Sequence, residues 1–224
     1  MGGSGGSNAF VERQVNMLQS NPGCATAKYN LGVMLMEQGR LEEAKTLFEE
    51  AIADGTRMFE AYVNLGYIYF KQGNLEKVEE CNRLAVQIEP RYARGYANLG
   101  FVYLQMEKPD EAIEVLQKAI ELNPRIIQAW CNLANAYLQK GDLDRALETN
   151  LKMLEIAPDF SLGHNNLAYV YYLKGDMNRA AEHLKQALEL GFEAHPEFLK
   201  EMEPYLNNTH DRGNGHCPST SSDA

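Results

Sequence analysis

Asparagine stands at Asn30, Asn64, Asn98, Asn132 and Asn166, one constant interval apart, and a leucine follows it each time. A primary amide carries donors and an acceptor in one group, so amides spaced along a surface can pair with the backbone of an extended ligand without reading its side chains. The chemistry open to such a row is recognition. It requires elements that deliver the same side chain to the same face in every repeat. The chain offers no comparable set of reactive groups: there is no Gly-rich phosphate loop, no His-Glu-x-x-His and no nucleophile signature, and the five histidines are scattered. No catalytic residue is assigned, and the chain reads as non-enzymatic.

Other positions recur in phase with the asparagines, which identifies those elements. With repeats counted from Ala25, Phe59, Ala93, Ile127 and Ser161, the eighth slot is always small: Gly32, Gly66, Gly100, Ala134 and Ala168. The eleventh holds Leu35, Tyr69, Tyr103, Tyr137 and Tyr171, and the twentieth holds Ala44, Val78, Ala112, Ala146 and Ala180. In the third repeat, Tyr96, Leu99, Gly100 and Tyr103 follow the three-and-four rhythm of one helical face. Ala112, Leu116 and Ala119 form a second face, and Pro124 closes the repeat without needing a backbone donor. Small residues let the two helices approach closely.

This pattern resembles the tetratricopeptide repeat, a pair of antiparallel helices in a unit of about 34 residues. The resemblance covers residues 25–192 as repeats 25–58, 59–92, 93–126, 127–160 and 161–192. It implies an all-α, right-handed superhelical solenoid in which the first helix (A) of each pair lines a concave groove that takes an extended peptide or a partner segment. The family's groove slots place there the five asparagines, Tyr67, Phe101, Asn135 and Tyr169 from the ninth slot, and Arg94 from the second. A competing role for the asparagines is structural: bonding to a neighbouring helix and fixing the repeat spacing. On the binding reading, alanine at Asn98 and Asn132 would weaken partner binding and leave melting nearly unchanged. The carboxylate clamp of the family's chaperone-binding members is absent, because the fifth slot reads Tyr29, Val63, Ala97, Cys131 and Asn165, never lysine.

The formal net charge is -10, and without a basic surface a nucleic-acid partner is not expected. Arg57, Arg91 and Arg125 nevertheless recur at the repeat interval, just before A helices, where the macrodipole disfavours a cation. Two readings fit them: contacts to an acidic partner, or salt bridges to neighbouring glutamates.

Outside the array, residues 1–7 read as a flexible Gly/Ser linker and 8–22 as a capping helix or half repeat, with Phe10, Gln14 and Met17 in the slots of a second (B) helix. Residues 195–207 read as a closing helix with an apolar stripe of Phe198, Leu199, Met202 and Tyr205, and 208–224 as an unfolded tail. Within the array, Lys28 and His164 occupy a bulky slot, a polarity expected of ends that no neighbour covers. Asn82 and Asn150 replace apolar residues and should find hydrogen-bond partners. Trp130 is expected to pack between repeats. Cys24, Cys81, Cys131 and Cys217 read as free thiols; His210, His216 and Cys217 are not read as a metal site, and no cofactor is expected. No apolar run reaches the roughly 20 residues of a membrane helix, and no secretory leader is recognisable, which points to the cytoplasm, or to the periplasm if a leader was removed. The expected function is a non-catalytic protein-interaction scaffold. The alternatives are a module that self-associates through its exposed ends and the recruitment segment of a larger enzyme.

Overall fold

The computed structural model describes the backbone of residues 4–208 and the side chains of residues 12–207. The expected tail beyond Asn208, with His210, His216 and Cys217, lies outside the described residues. Those described form helices only: α1 (Ser4–Ser20), α2 (Ala25–Glu37), α3 (Leu41–Asp54), α4 (Phe59–Lys71), α5 (Leu75–Ile88), α6 (Ala93–Gln105), α7 (Pro109–Leu122), α8 (Ile127–Gln139), α9 (Leu143–Ile156), α10 (Ser161–Leu173), α11 (Met177–Glu189) and α12 (Pro196–Asn208). The chain divides into two compact bodies, residues 1–132 and 133–224, with the division inside α8. No helix among the described residues is long and apolar enough to cross a membrane.

Local chemistry sets the ends of each pair. The A helices stop at a left-handed residue, Gly39, Gly73, Gly141 and Gly175 with φ between 73° and 80°, and in the third repeat Glu107 takes that place at φ 57°. A glycine adopts this conformation without a Cβ clash, which is why four of the five repeats use one. Asn74, Asp142 and Asp176 then cap the next helix, accepting from the backbone N–H of Lys77, Arg145 and Arg179. Where the cap is Lys108, Pro109 opens α7 instead, at a position whose missing N–H costs nothing.

In the first body the core gathers Ala44, Phe48, Ala61, Leu65, Ile68 and Cys81. Helix α1 packs on α2, with Gln14 buried; the side chain of Phe10 lies outside the described residues. This helix begins at Ser4, so residues 4–7, expected as linker, are helical. Once residues 8–20 are wound, extending the helix costs only about 1 kcal/mol per glycine. Lys28 is not accommodated by exposure: its ammonium sits 2.8 Å from Glu50 and 2.7 Å from Asp54 on α3. Trp130 is half-buried, its indole N–H donating to the Pro124 carbonyl at 2.8 Å. Truncating it therefore removes less than a sealed aromatic would. Cys81 and Cys131 are buried, which pushes both thiols up to about 11 and keeps them protonated at neutral pH.

In the second body α12 covers the last helix pair. Met202 joins Leu167, Ala168, Tyr171, Ala180, Leu184 and Ala194 in the core, with Phe198, Leu199 and Leu206 packed around it. Tyr205, expected in the same stripe, is exposed.

His164 is buried rather than left open at an array end. Its Nε2 lies 2.8 Å from the Pro158 carbonyl, which can only accept, so that nitrogen carries the proton, and its Nδ1 accepts from His183 Nδ1–H at 3.2 Å. Burial, and then the neighbouring His164, push the His183 pKa below its ordinary 6.5; Glu182 opposes the shift and Arg179 adds to it. The unfolded chain therefore takes up this proton before the folded one does. Stability present above about pH 6.5 is lost as pH falls toward the folded value. Thermal melting should show Tm falling between about pH 7 and pH 5, and His183→Phe, which keeps a ring stacked on Tyr171, should flatten that dependence.

Candidate partner-binding site

The sequence-derived candidates separate into three groups. Asn64, Tyr67 and Asn98 meet: with Met36, Glu37 and Val63 they line one open concavity of about 610 Å³ among α2, α4 and α6, the first helices of three successive pairs. Tyr67 is 47% exposed there, with the Lys71 ammonium 5.5 Å from its ring centroid. Phe101 is half-buried with its ring edge-on to Phe70 at 5.5 Å, so much of it is packing rather than open surface. Arg94 and Asn135 are exposed. Tyr169 lies in the other body, 44% exposed, against Tyr172 and Phe198.

The periodic arginines divide between the two readings. Arg57 Nη2 sits 3.5 Å from Glu89 and 3.5 Å from the Ile88 carbonyl, a neighbouring-glutamate contact. The side chains of Arg91 and Arg125 are exposed and make no ion pair among the described residues. Their backbone N–H groups donate to Glu89 at 3.4 Å and Asn123 at 3.0 Å.

The asparagines themselves are not equivalent. Asn30 donates to Gln14 Oε1 at 3.1 Å, and Asn98 donates to Asn82 Oδ1 at 3.2 Å. Both partners lie sixteen residues earlier, in the twenty-fourth slot of the preceding helix pair. That slot alternates along the chain: Gln14, Phe48, Asn82, Leu116, Asn150. Where it is apolar, the following asparagine turns elsewhere. Asn64 has its amide beside the Tyr29 hydroxyl, and Asn132 accepts from Gln128 Nε2 at 3.0 Å. Asn166 is half-buried and follows the amide slot of Asn150, yet it does not donate to Asn150 Oδ1.

Burial decides which of these amides a partner can reach. Asn132 is 4% exposed, and its Nδ2 has no partner among the described residues. Asn98 is exposed to the concavity and at the same time satisfies buried Asn82, whose own Nδ2 donates to the Val78 carbonyl at 2.9 Å. Alanine at Asn98 would strand the Asn82 oxygen at a cost of about 1–3 kcal/mol. The expectation that this substitution leaves melting unchanged is therefore corrected. Asn150 is satisfied on one side only: Nδ2 donates to the Ala146 carbonyl at 3.0 Å, and Oδ1 has no partner among the described residues. Only the amide alternation, read sixteen residues ahead of each asparagine, signals this pairing in the sequence.

Among the described residues no group of three or more His, Cys, Asp and Glu side chains could hold a metal ion. The geometry suits recognition of an extended segment: an exposed phenol ring, apolar side chains and amides around one open hollow.

Sequence profiles of the tetratricopeptide repeat match residues 24–61, 59–92, 93–126, 115–148 and 163–190. No curated protein sequence matches the chain. Among solved structures, the chain is similar to MamA, at 26% identity and a TM-score of 0.67 over 71% of this chain and 93% of that one. It is also similar to YrrB, described as a TPR protein with an unusual peptide-binding site, at 21% identity and a TM-score of 0.71 over 89% and 99% of the two chains. A third similar structure is pilF of Pseudomonas aeruginosa, at 20% identity and a TM-score of 0.72 over 85% and 86%.

Proposed function

This chain belongs to the tetratricopeptide repeat family, and from that premise we propose that it is a non-catalytic scaffold holding an extended partner segment in the hollow among α2, α4 and α6. Members of the family generally serve protein–protein interaction. One observation carries the assignment to this hollow: Asn64, Tyr67 and Asn98, from two successive A helices, converge on one open space. An extended segment laid there would exchange hydrogen bonds with the Asn64 and Asn98 amides and pack an apolar side chain between Tyr67, Met36 and Val63. The peptide-binding site ascribed to YrrB, a protein of the same fold, supports this reading.

Tyr67 and Asn64 are the residues to change, because neither anchors the buried Asn82. Partners captured by the folded chain should be retained about tenfold less well by Tyr67→Ala, with the thermal transition unchanged, and about tenfold less well by Asn64→Ala. Undiminished capture by both variants would refute this location.

A further inference from the structure

The second body carries a pocket of its own, apart from the hollow among α2, α4 and α6. It is about 600 Å³ in volume and lies between α10 and the start of α12, which brings Tyr169 and Tyr172 opposite Phe198. The two tyrosine rings run nearly parallel, 21° apart at 6.3 Å between centroids, and Phe198 stands across both, at 79° and 6.0 Å to Tyr169 and 81° and 5.5 Å to Tyr172. Tyr169 is 44% exposed, so a π-surface of this set is open to a ligand.

Around these rings stand Glu193, Glu197 and Glu201, and no lysine or arginine lines the pocket. Some carboxylates elsewhere are compensated locally. Glu43, Glu80, Glu121 and Glu148 each sit beside a cation on their own helix or its cap, Arg40, Lys77, Lys118 and Lys152. At the pocket, His195 stands 4.0 Å from Glu197 and is a counter-charge only when protonated, and the neighbouring Glu201 raises the pKa of the Tyr172 hydroxyl. Three carboxylates gathered beside open aromatic rings, without a permanent counter-charge among the lining residues, leave a negative field over a negative ring face.

We propose that this pocket receives the guanidinium of an arginine carried by a partner polypeptide. A guanidinium is planar, so it can lie on the Tyr169 face while its N–H fork reaches the carboxylates of α12 and the segment before it. The negative net charge of the chain would draw a basic segment toward it. The proposal is independent of the hollow among α2, α4 and α6.

The test uses the full chain and two blocked pentapeptides, acetyl-Ala-Ala-Arg-Ala-Ala-amide and the same peptide with citrulline, which keeps the shape of arginine and removes its charge. Titration followed by amide chemical shifts should show the arginine peptide binding about tenfold more tightly and moving signals of α10 and α12. Tyr169→Leu and Glu197→Gln, both at exposed positions, should each weaken it about tenfold. Glu148→Gln, which removes one negative charge on α9, should leave it unchanged. Equal binding of the citrulline peptide overturns the proposal. So does the absence of saturable binding up to about 5 mM, the regime of single-contact peptides, or an equal loss in Glu148→Gln.

Discussion

Phe48→Ala is expected to destabilise the first body by about 3–5 kcal/mol, the largest effect of any single truncation proposed for this chain. The Phe48 ring is fully buried, packs on Tyr29 at 5.8 Å between centroids and joins Ala44, Ala61, Leu65 and Ile68 in the core. It also fills the space that Gly32 leaves open: a Cβ at Gly32 would come within 2.8 Å of the ring. The two positions are therefore coupled. Gly32→Ala alone should destabilise by crowding the ring, yet in the Phe48→Ala background it should stabilise, because the added methyl enters the cavity and alanine favours a helix over glycine by about 1 kcal/mol. Urea unfolding of the single and double variants reads the sign directly. A destabilising Gly32→Ala in both backgrounds would show that the glycine serves something other than this ring.

The second large effect concerns α12. Met202→Ala should cost the second body about 2–5 kcal/mol and open α12 first. Met202 is fully buried among Leu167, Tyr171, Leu184 and Ala194, and the partly buried Phe198, Leu199 and Leu206 close over the same cluster. Amide exchange should accelerate throughout α12 and along the α10 and α11 faces it covers, while residues 25–88 keep their protection. If α12 were instead a loosely held lid, its amides would already exchange fast in the unaltered chain, and Met202→Ala would change little.

The helix pairs were legible because each slot has one steric task, repeated in phase. Gly100 illustrates this: the sequence marks it as small, and the structure gives the reason, with Leu116 carbons 2.3 and 2.4 Å from where its Cβ would lie. The hollow was legible in part. Asn64, Tyr67 and Asn98 were identified by slot, but their companions Asn30 and Asn132 could not be told from them, since burial depends on what the neighbouring pair presents. Helix α1 is the clearest case. Gln14 reads as a core position with the wrong polarity until Asn30 is seen to donate to it. Tyr169 and Phe198 were each singled out, but their meeting was not legible, because the separation of the two positions does not follow the repeat interval.

The alternation at the twenty-fourth slot means that adjacent repeats are not interchangeable parts. Excising residues 59–92 would set Asn98 behind Phe48, so that the Asn82–Asn98 amide bond would have no counterpart at the new junction. Excising two neighbouring repeats would keep the order of amide and apolar slots intact. The order of these slots thus returns every two repeats, and at Gln14–Asn30 and Asn82–Asn98 it ties one helix pair to the next by an amide bond.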